Sequence, residues 1–144
     1  MSRINFRNTT GLLAIAASLA FTAFAGVSQA QEPAKSWQTG IHRTDLLKRD
    51  LDVSGREVVQ VLVDIDPGVS SPKHSHPGVE VAYVLEGTFE YQLEGQPPVT
   101  LKAGESLYIP AGTAHVAKNV GTGKASELAT YIVKKGVPAV ELSK

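Results

Sequence analysis

The chain has 144 residues, with 14 basic and 14 acidic side chains and no cysteine, which fits one ordinary globular domain and excludes a disulfide-stapled or fibrous protein. Without cysteine, thiol chemistry is also excluded, and any metal site must use nitrogen and oxygen ligands. No basic cluster occurs, so nothing in the charge pattern favours binding to nucleic acid or to an anionic membrane surface.

Residues 1–30 have the features of a secretory signal peptide. Arg3 and Arg7 precede an apolar run over residues 11–27, and Ser28-Gln29-Ala30 is a small-x-small cleavage signal. We therefore expect cleavage after Ala30 and a mature protein that is periplasmic or secreted and free of the membrane. Cleavage would leave 12 basic and 14 acidic residues, a net charge of −2.

Two alternatives to this cleavage stay open at the sequence level. Residues 23–25 offer a second cleavage site, and the apolar run is close to the ~17-residue lower limit for spanning a membrane, so an uncleaved anchor is the other alternative. The two arginines are not adjacent, so the twin-arginine signal is absent and export of an unfolded chain is expected.

Residues 31–56 form a polar segment that we interpret as a loosely held N-terminal arm. Its charges are scattered, and the pattern allows one helical turn around Asp45–Lys48. Trp37 is expected to dock on the domain or on a partner subunit. His42 matches no motif and is assigned no role.

Residues 57–144 have the pattern of an all-β domain. Apolar runs of 5–9 residues alternate with Gly, Pro, Asn and Asp signals, which is typical of a sandwich or barrel. The final residues, 137–142, are expected to cover a sheet edge. The predicted strands are Val58–Ile65, Val79–Leu85, Phe89–Leu93, Val99–Leu101, Ser106–Ile109, a strand carrying His115, and Leu128–Val133.

Three of the four histidines lie in two short, glycine-bracketed windows. His74 and His76 are one residue apart, so both side chains lie on the same face of an extended segment, where Glu80 of the next strand can meet them. His115 follows a Pro-x-Gly turn and can complete the group from an opposite strand. Three imidazoles and a carboxylate suit a divalent Fe, Mn, Ni, Co, Cu or Zn ion, and a six-coordinate metal would keep about two positions open.

These windows resemble the two motifs of the cupin family. The first motif, G(x)5HxH(x)3-4E(x)6G, and the second, G(x)5PxG(x)2H(x)3N, agree with this chain at all ten specified positions, and 16 residues separate them. The matching residues are Gly68, His74, His76, Glu80 and Gly87, then Gly104, Pro110, Gly112, His115 and Asn119.

The resemblance implies a single jelly-roll β-barrel with one divalent transition metal held by His74, His76, Glu80 and His115. The four motif glycines are expected at turns with positive φ, and Asn119 is expected to bond backbone groups rather than metal. A homodimer is also expected, both from cupin behaviour and because an open jelly roll leaves edge strands to be covered.

Other pocket residues are weaker candidates. Phe89, Tyr91 and Tyr108 flank the motifs and could line the pocket, although alternating aromatics are more often core residues. Lys73 is adjacent to a ligand position and could attract an anionic substrate, although a lone loop lysine is usually only solvated.

Two classes of function are compatible with this sequence. In the first, the open metal positions bind a small oxygen-bearing substrate for dioxygenase, decarboxylase, isomerase or lyase chemistry, with a base supplied by Glu80 or a tyrosine. In the second, the protein is a periplasmic sensor or carrier that binds a small ligand without converting it. A general acid or base beside the metal positions would favour the enzyme, and an apolar pocket would favour the binding protein.

Overall fold

The structure, a computed structural model, describes residues 39–143. The predicted signal peptide and Trp37 lie outside these residues. Within them, no helix is long and apolar enough to cross a membrane.

Ten strands form two antiparallel five-stranded sheets in the described residues, as the all-β prediction requires. The strands are β1 Ile41–Asp50, β2 Arg56–Ile65, β3 His74–Ser75, β4 Val79–Glu86, β5 Thr88–Leu93, β6 Val99–Lys102, β7 Ser106–Ile109, β8 His115–Asn119, β9 Ala125–Lys134 and β10 Glu141–Leu142. The first sheet has the order β1-β2-β9-β4-β7 and the second has the order β10-β3-β8-β5-β6, a two-sheet arrangement of the jelly-roll type.

Alternating side chains of the two sheets face one another and form the core. On β2 the inward residues Val61, Val63 and Ile65 are buried, and on β5 Phe89 and Tyr91 are buried in the same way. This two-residue period is the one that the sequence displays in both segments. Predicted strands from residue 58 onward are therefore confirmed to within a few residues at their ends.

The N-terminal arm is where the prediction was wrong. Ile41–Asp50 is not loosely held and contains no helical turn, because it is strand β1, antiparallel to β2 along its length with a bulge between Asp45 and Leu47. β1 is an edge strand, and every residue in it except Ile41 is exposed. An exposed edge strand has no alternating apolar pattern, so the sequence gives little sign of it.

The turn glycines have the conformation expected from the motifs. Gly68, Gly87, Gly104 and Gly112 all have positive φ, between 74° and 93°. At Gly87, between β4 and β5, a Cβ atom would also lie 2.7 Å from the Cβ of Ala125. Glycine is thus required there both by the backbone and by the close approach of β9.

Candidate metal centre

Strands β3 and β8 bring the three motif histidines together. His74 and His115 are direct partners in the antiparallel register, with ring centroids 4.3 Å apart. The His76 ring lies 5.0 Å from that of His74 and 5.2 Å from that of His115. One ligand atom from each of the three lies within 4.8 Å of the others, which is close enough to hold a single metal ion.

Backbone carbonyls orient all three imidazoles. Nδ1 of His74 lies 2.8 Å from the Pro72 oxygen, Nδ1 of His76 lies 2.5 Å from the Ala139 oxygen, and Nδ1 of His115 lies 3.0 Å from the Thr113 oxygen. A carbonyl oxygen can only accept, so each Nδ1 carries the proton and donates it. Each neutral ring therefore presents an unprotonated Nε2, which is the atom a metal would take.

Glu80 reaches this group from β4 of the facing sheet. Its Oε2 lies 2.8 Å from Nε2 of His76 and 3.4 Å from Nε2 of His115, and both Oε2 and the His76 Nε2 are buried without a hydrogen-bond partner. In the tautomers set by the carbonyls these atoms are all acceptors, and buried acceptors that face each other are unfavourable. A cation between them removes the conflict, so three nitrogens and one carboxylate oxygen fit a divalent metal.

The ionisation of this group is consistent with its geometry. Burial, followed by the nearby His115, lowers the pKa of His74 to about 4, so His74 is neutral at pH 7. Burial alone would raise the pKa of Glu80, but the close contacts of its carboxylate with the His115 and His76 rings outweigh burial and lower that pKa to about 2. Burial alone would lower the pKa of His115, but the contact with Glu80 outweighs burial and raises that pKa above its ordinary value.

A second polar group lies in the same cavity. Glu127 on β9 is buried and accepts a hydrogen bond from the hydroxyl of Tyr91 on β5. Burial and the negative charge of Glu80 raise the pKa of Glu127 to about 7. The Tyr131 ring, also on β9, lies 4.6 Å from the His76 ring. These residues give the cavity exchangeable protons beside the histidines.

The motifs do not include Glu127, so it was missed at the sequence level. The available signal was a carboxylate within an apolar β run, at the same parity as the inward-facing Ala129, Tyr131 and Val133. Buried carboxylates in such positions are uncommon unless they have a partner or a function.

The weaker candidates have different positions. Phe89 and Tyr91 are buried in the core, and Tyr91 also lines the cavity, whereas Tyr108 is 60% exposed on the outside of β7. Lys73 lies outside the cavity, where its Nζ is 2.7 Å from Oε1 of Glu94. His42 is exposed, 3.9 Å from a carboxylate oxygen of Asp66.

Asn119 bonds backbone groups, as expected. Its Nδ2 donates to the carbonyls of Ile65 and Gly123, both at 2.8 Å, and its Oδ1 accepts from the amide of Gly121. This fully buried side chain ties the end of β8 to the end of β2.

Comparison with known families gives one match over half of the chain. Residues 61–133 match the family described as Cupin domain. The matched range contains every residue of both motifs, and it also contains Tyr91, Glu127 and Tyr131.

Individual relatives match over shorter ranges. The dimethylsulfoniopropionate lyase DddQ of Ruegeria pomeroyi is 33% identical over 57 residues, which is 40% of this chain and 28% of that protein. Germin-like protein 1-1 of Oryza sativa subsp. japonica is 34% identical over 74 residues, which is 48% of this chain and 34% of that protein. The chain thus spans about a third or less of each of these relatives.

Solved structures share the fold. The crystal structure of DddQ from Ruegeria pomeroyi superposes with a TM-score of 0.54 and 26% identity, over 60% of this chain and 43% of that one. A recombinant oxalate oxidase in complex with glycolate superposes with a TM-score of 0.57 and 26% identity, over 72% of this chain and 55% of that one.

Proposed function

The chain belongs to the cupin domain family, and from that premise we propose that it is an exported metalloenzyme acting on a small oxygen-bearing organic substrate. One divalent transition metal would be held by His74, His76, Glu80 and His115. The observation that carries this proposal is the buried contact between Oε2 of Glu80 and Nε2 of His76, two acceptors at 2.8 Å with no proton donor between them.

A bound divalent metal would act as a Lewis acid towards a substrate oxygen. The chain's own residues supply the rest of the site. The carbonyls of Pro72, Thr113 and Ala139 hold the imidazoles in the ligating tautomer, so no reorientation is needed before binding. The facing sheet supplies Glu80, which offsets part of the metal's charge.

Glu127 and Tyr91 favour an enzyme over a sensor or carrier. A wholly apolar cavity would favour binding alone, whereas this one contains a buried carboxyl whose pKa lies near 7 and a tyrosine hydroxyl bonded to it. A carboxyl with such a pKa can accept a proton or donate one at neutral pH. We assign the pair the role of general acid and base, with Glu127 holding the proton at its carboxylate oxygen.

The names of the relatives support a catalytic role in the same sense. One is a lyase and another is an oxidase, and each acts on a small organic molecule according to its name. The reaction type for this chain is left among lyase, decarboxylase, isomerase and dioxygenase chemistry. The alternative, a periplasmic small-ligand sensor, requires the same metal site but no proton transfer by Glu127.

Export and assembly complete the proposal. Residues 1–30 would direct the chain to the periplasm or the exterior, where it would acquire its metal. A homodimer is supported by the outer face of the first sheet, where ten uncharged residues adjoin one another in register on β2, β9, β4 and β7. They are Val58, Gln60, Leu62, Val79, Val81, Tyr83, Tyr108, Leu128, Thr130 and Ile132. An uncharged patch of this kind on a sheet is typical of a protein contact, and a second copy offers a matching patch.

The test is to purify the exported protein and measure bound metals per protomer by elemental mass spectrometry. About one equivalent of Fe, Mn, Ni, Co, Cu or Zn is expected, and it should be lost in Glu80→Ala and in His115→Ala. Absence of metal from the parent under metal-replete conditions would contradict the proposal. Retention of a full equivalent in both variants would show that the metal lies elsewhere.

A further inference from the structure

Arg43 of β1 lines the rim of the cavity that contains the histidines. It is the register partner of Val63, an inward-facing residue of β2, and it lines the same cavity as His74, His115 and Glu127. Because β1 is the edge strand, Arg43 lies at the rim of this cavity rather than deep inside it.

Arg43 has no carboxylate partner among the described residues. It forms none of the ion pairs found there. Its guanidinium carbon lies 5.9 Å from the centre of the Tyr131 ring, within cation–π range. Arg43 also donates a hydrogen bond to the Tyr131 hydroxyl. These contacts hold the guanidinium group in place, and its further N–H donors can bind an incoming anion.

Several lysines of the described region form ion pairs with carboxylates. Lys48 pairs with Glu57, Lys73 with Glu94, and Lys135 with Asp50. Of the Lys and Arg residues that the structure describes, Arg43 alone lines the cavity with the histidines. This cation is therefore in no ion pair with a carboxylate of the described residues, although its charge acts on Glu127 in the same cavity.

Glu127 does not form an ion pair with Arg43. It occupies the same cross-strand row as Arg43, with Val63 of β2 between them, so their backbones are two strand spacings, about 10 Å, apart. Tyr91 already donates a hydrogen bond to Glu127. The space between Arg43 and the histidines is thus bordered by a cation outside any ion pair on one side and by the histidine nitrogens on the other.

We propose that Arg43 binds the carboxylate of an anionic substrate, which makes small carboxylic acids with a second oxygen group the substrate class of this site. The second oxygen, a hydroxyl or carbonyl, would face the histidines. This rests on the metal-dependent function proposed above. A guanidinium group binds a carboxylate through two parallel N–H donors, a geometry that lysine cannot reproduce.

The test uses glycolate as the probe and glycolamide as its uncharged counterpart. The parent, Arg43→Gln and Arg43→Lys are loaded with Co2+, the Co2+ stoichiometry is measured first, and each ligand is then titrated by calorimetry. Glycolate binding should weaken about 10-fold or more in Arg43→Gln and by less in Arg43→Lys, while glycolamide binding should not change between variants. Lys73→Gln is the matched control, because Lys73 adjoins a histidine but lies outside the cavity.

The outcomes separate the two proposals. If the parent binds no Co2+, the metal-dependent function fails, and the same titrations on metal-free protein still test Arg43. Equal glycolate affinity in the parent and Arg43→Gln, with both folded by circular dichroism, would overturn the assignment of Arg43. So would equal weakening of glycolate and glycolamide, since that would show lost packing rather than lost charge recognition.

Discussion

Each face of the sheet β1-β2-β9-β4-β7 departs in part from the distribution of polar and apolar residues that water usually dictates. The inner face buries Glu80, Glu127 and Tyr131 beside the apolar core, whereas the middle of the outer face bears ten residues without a charge. An antiparallel sheet with one solvated face ordinarily has an apolar inner face and a polar outer one. Each departure is informative, because polar groups inside need a bound partner and apolar groups outside need a covering one.

Among substitutions on the inner side of the sheets, removal of a histidine should have the largest effect. His115→Ala leaves two imidazoles and Glu80, so we expect metal affinity to fall at least 100-fold and the metal-dependent stabilisation to disappear. For the parent, at a metal concentration 1,000 times the Kd for the metal, that stabilisation is about 4 kcal/mol. Thermal melts with and without added metal measure it. His42→Ala is the matched control, because His42 is exposed on β1, and a variant that melted like this control would contradict the assignment of His115.

Glu127 should give the inner face a pH dependence when no metal is bound. Its pKa is raised from 4.5 to about 7, so the folded state keeps a proton that the unfolded state releases. The resulting stabilisation is complete below pH 4.5 and is lost as the pH rises through 7, a change of about 3 kcal/mol at most.

The variant Glu127→Gln isolates this effect, because an amide does not titrate. We expect the free energy of unfolding of the parent, relative to that of Glu127→Gln, to decrease from pH 5 to pH 8, as measured by urea denaturation. Glu90→Gln, on the outward side of β5, should follow the parent. Parallel pH profiles for the parent and Glu127→Gln would show that Glu127 is ionised throughout.

A charge on the outer face should separate the proposed dimer. Val81 lies at the middle of that face, between Tyr108 of β7 and Thr130 of β9. Val81→Lys would place two unpaired ammonium groups in a two-fold interface, so the dimer Kd should rise about 100-fold in sedimentation analysis. Gln92→Lys, exposed on the other sheet, should leave it unchanged, and a monomeric parent would remove the interface altogether.

The sequence predicted much of this architecture because short-range patterns encode it. His74, His76 and His115 were grouped from a two-residue spacing and a turn motif, and the register of β3 with β8 brings them together. Strand β1 was missed because its exposed residues show no periodicity. The cavity residues Arg43 and Glu127 depend on the pairing of β1 and β9 with β2, a long-range register that local sequence does not specify.

The smallest effect is expected at Lys73, which precedes His74 in the sequence but does not line the cavity. A substitution there tests whether sequence proximity to a proposed metal ligand matters by itself. Its ion pair with Glu94 is exposed on both sides, and such pairs contribute about 0–1 kcal/mol. Lys73→Ala should therefore shift the free energy of unfolding by less than about 1 kcal/mol and leave metal stoichiometry intact. A loss of metal in this variant would mean that the loop before His74, rather than the sheet register, holds the histidines in place.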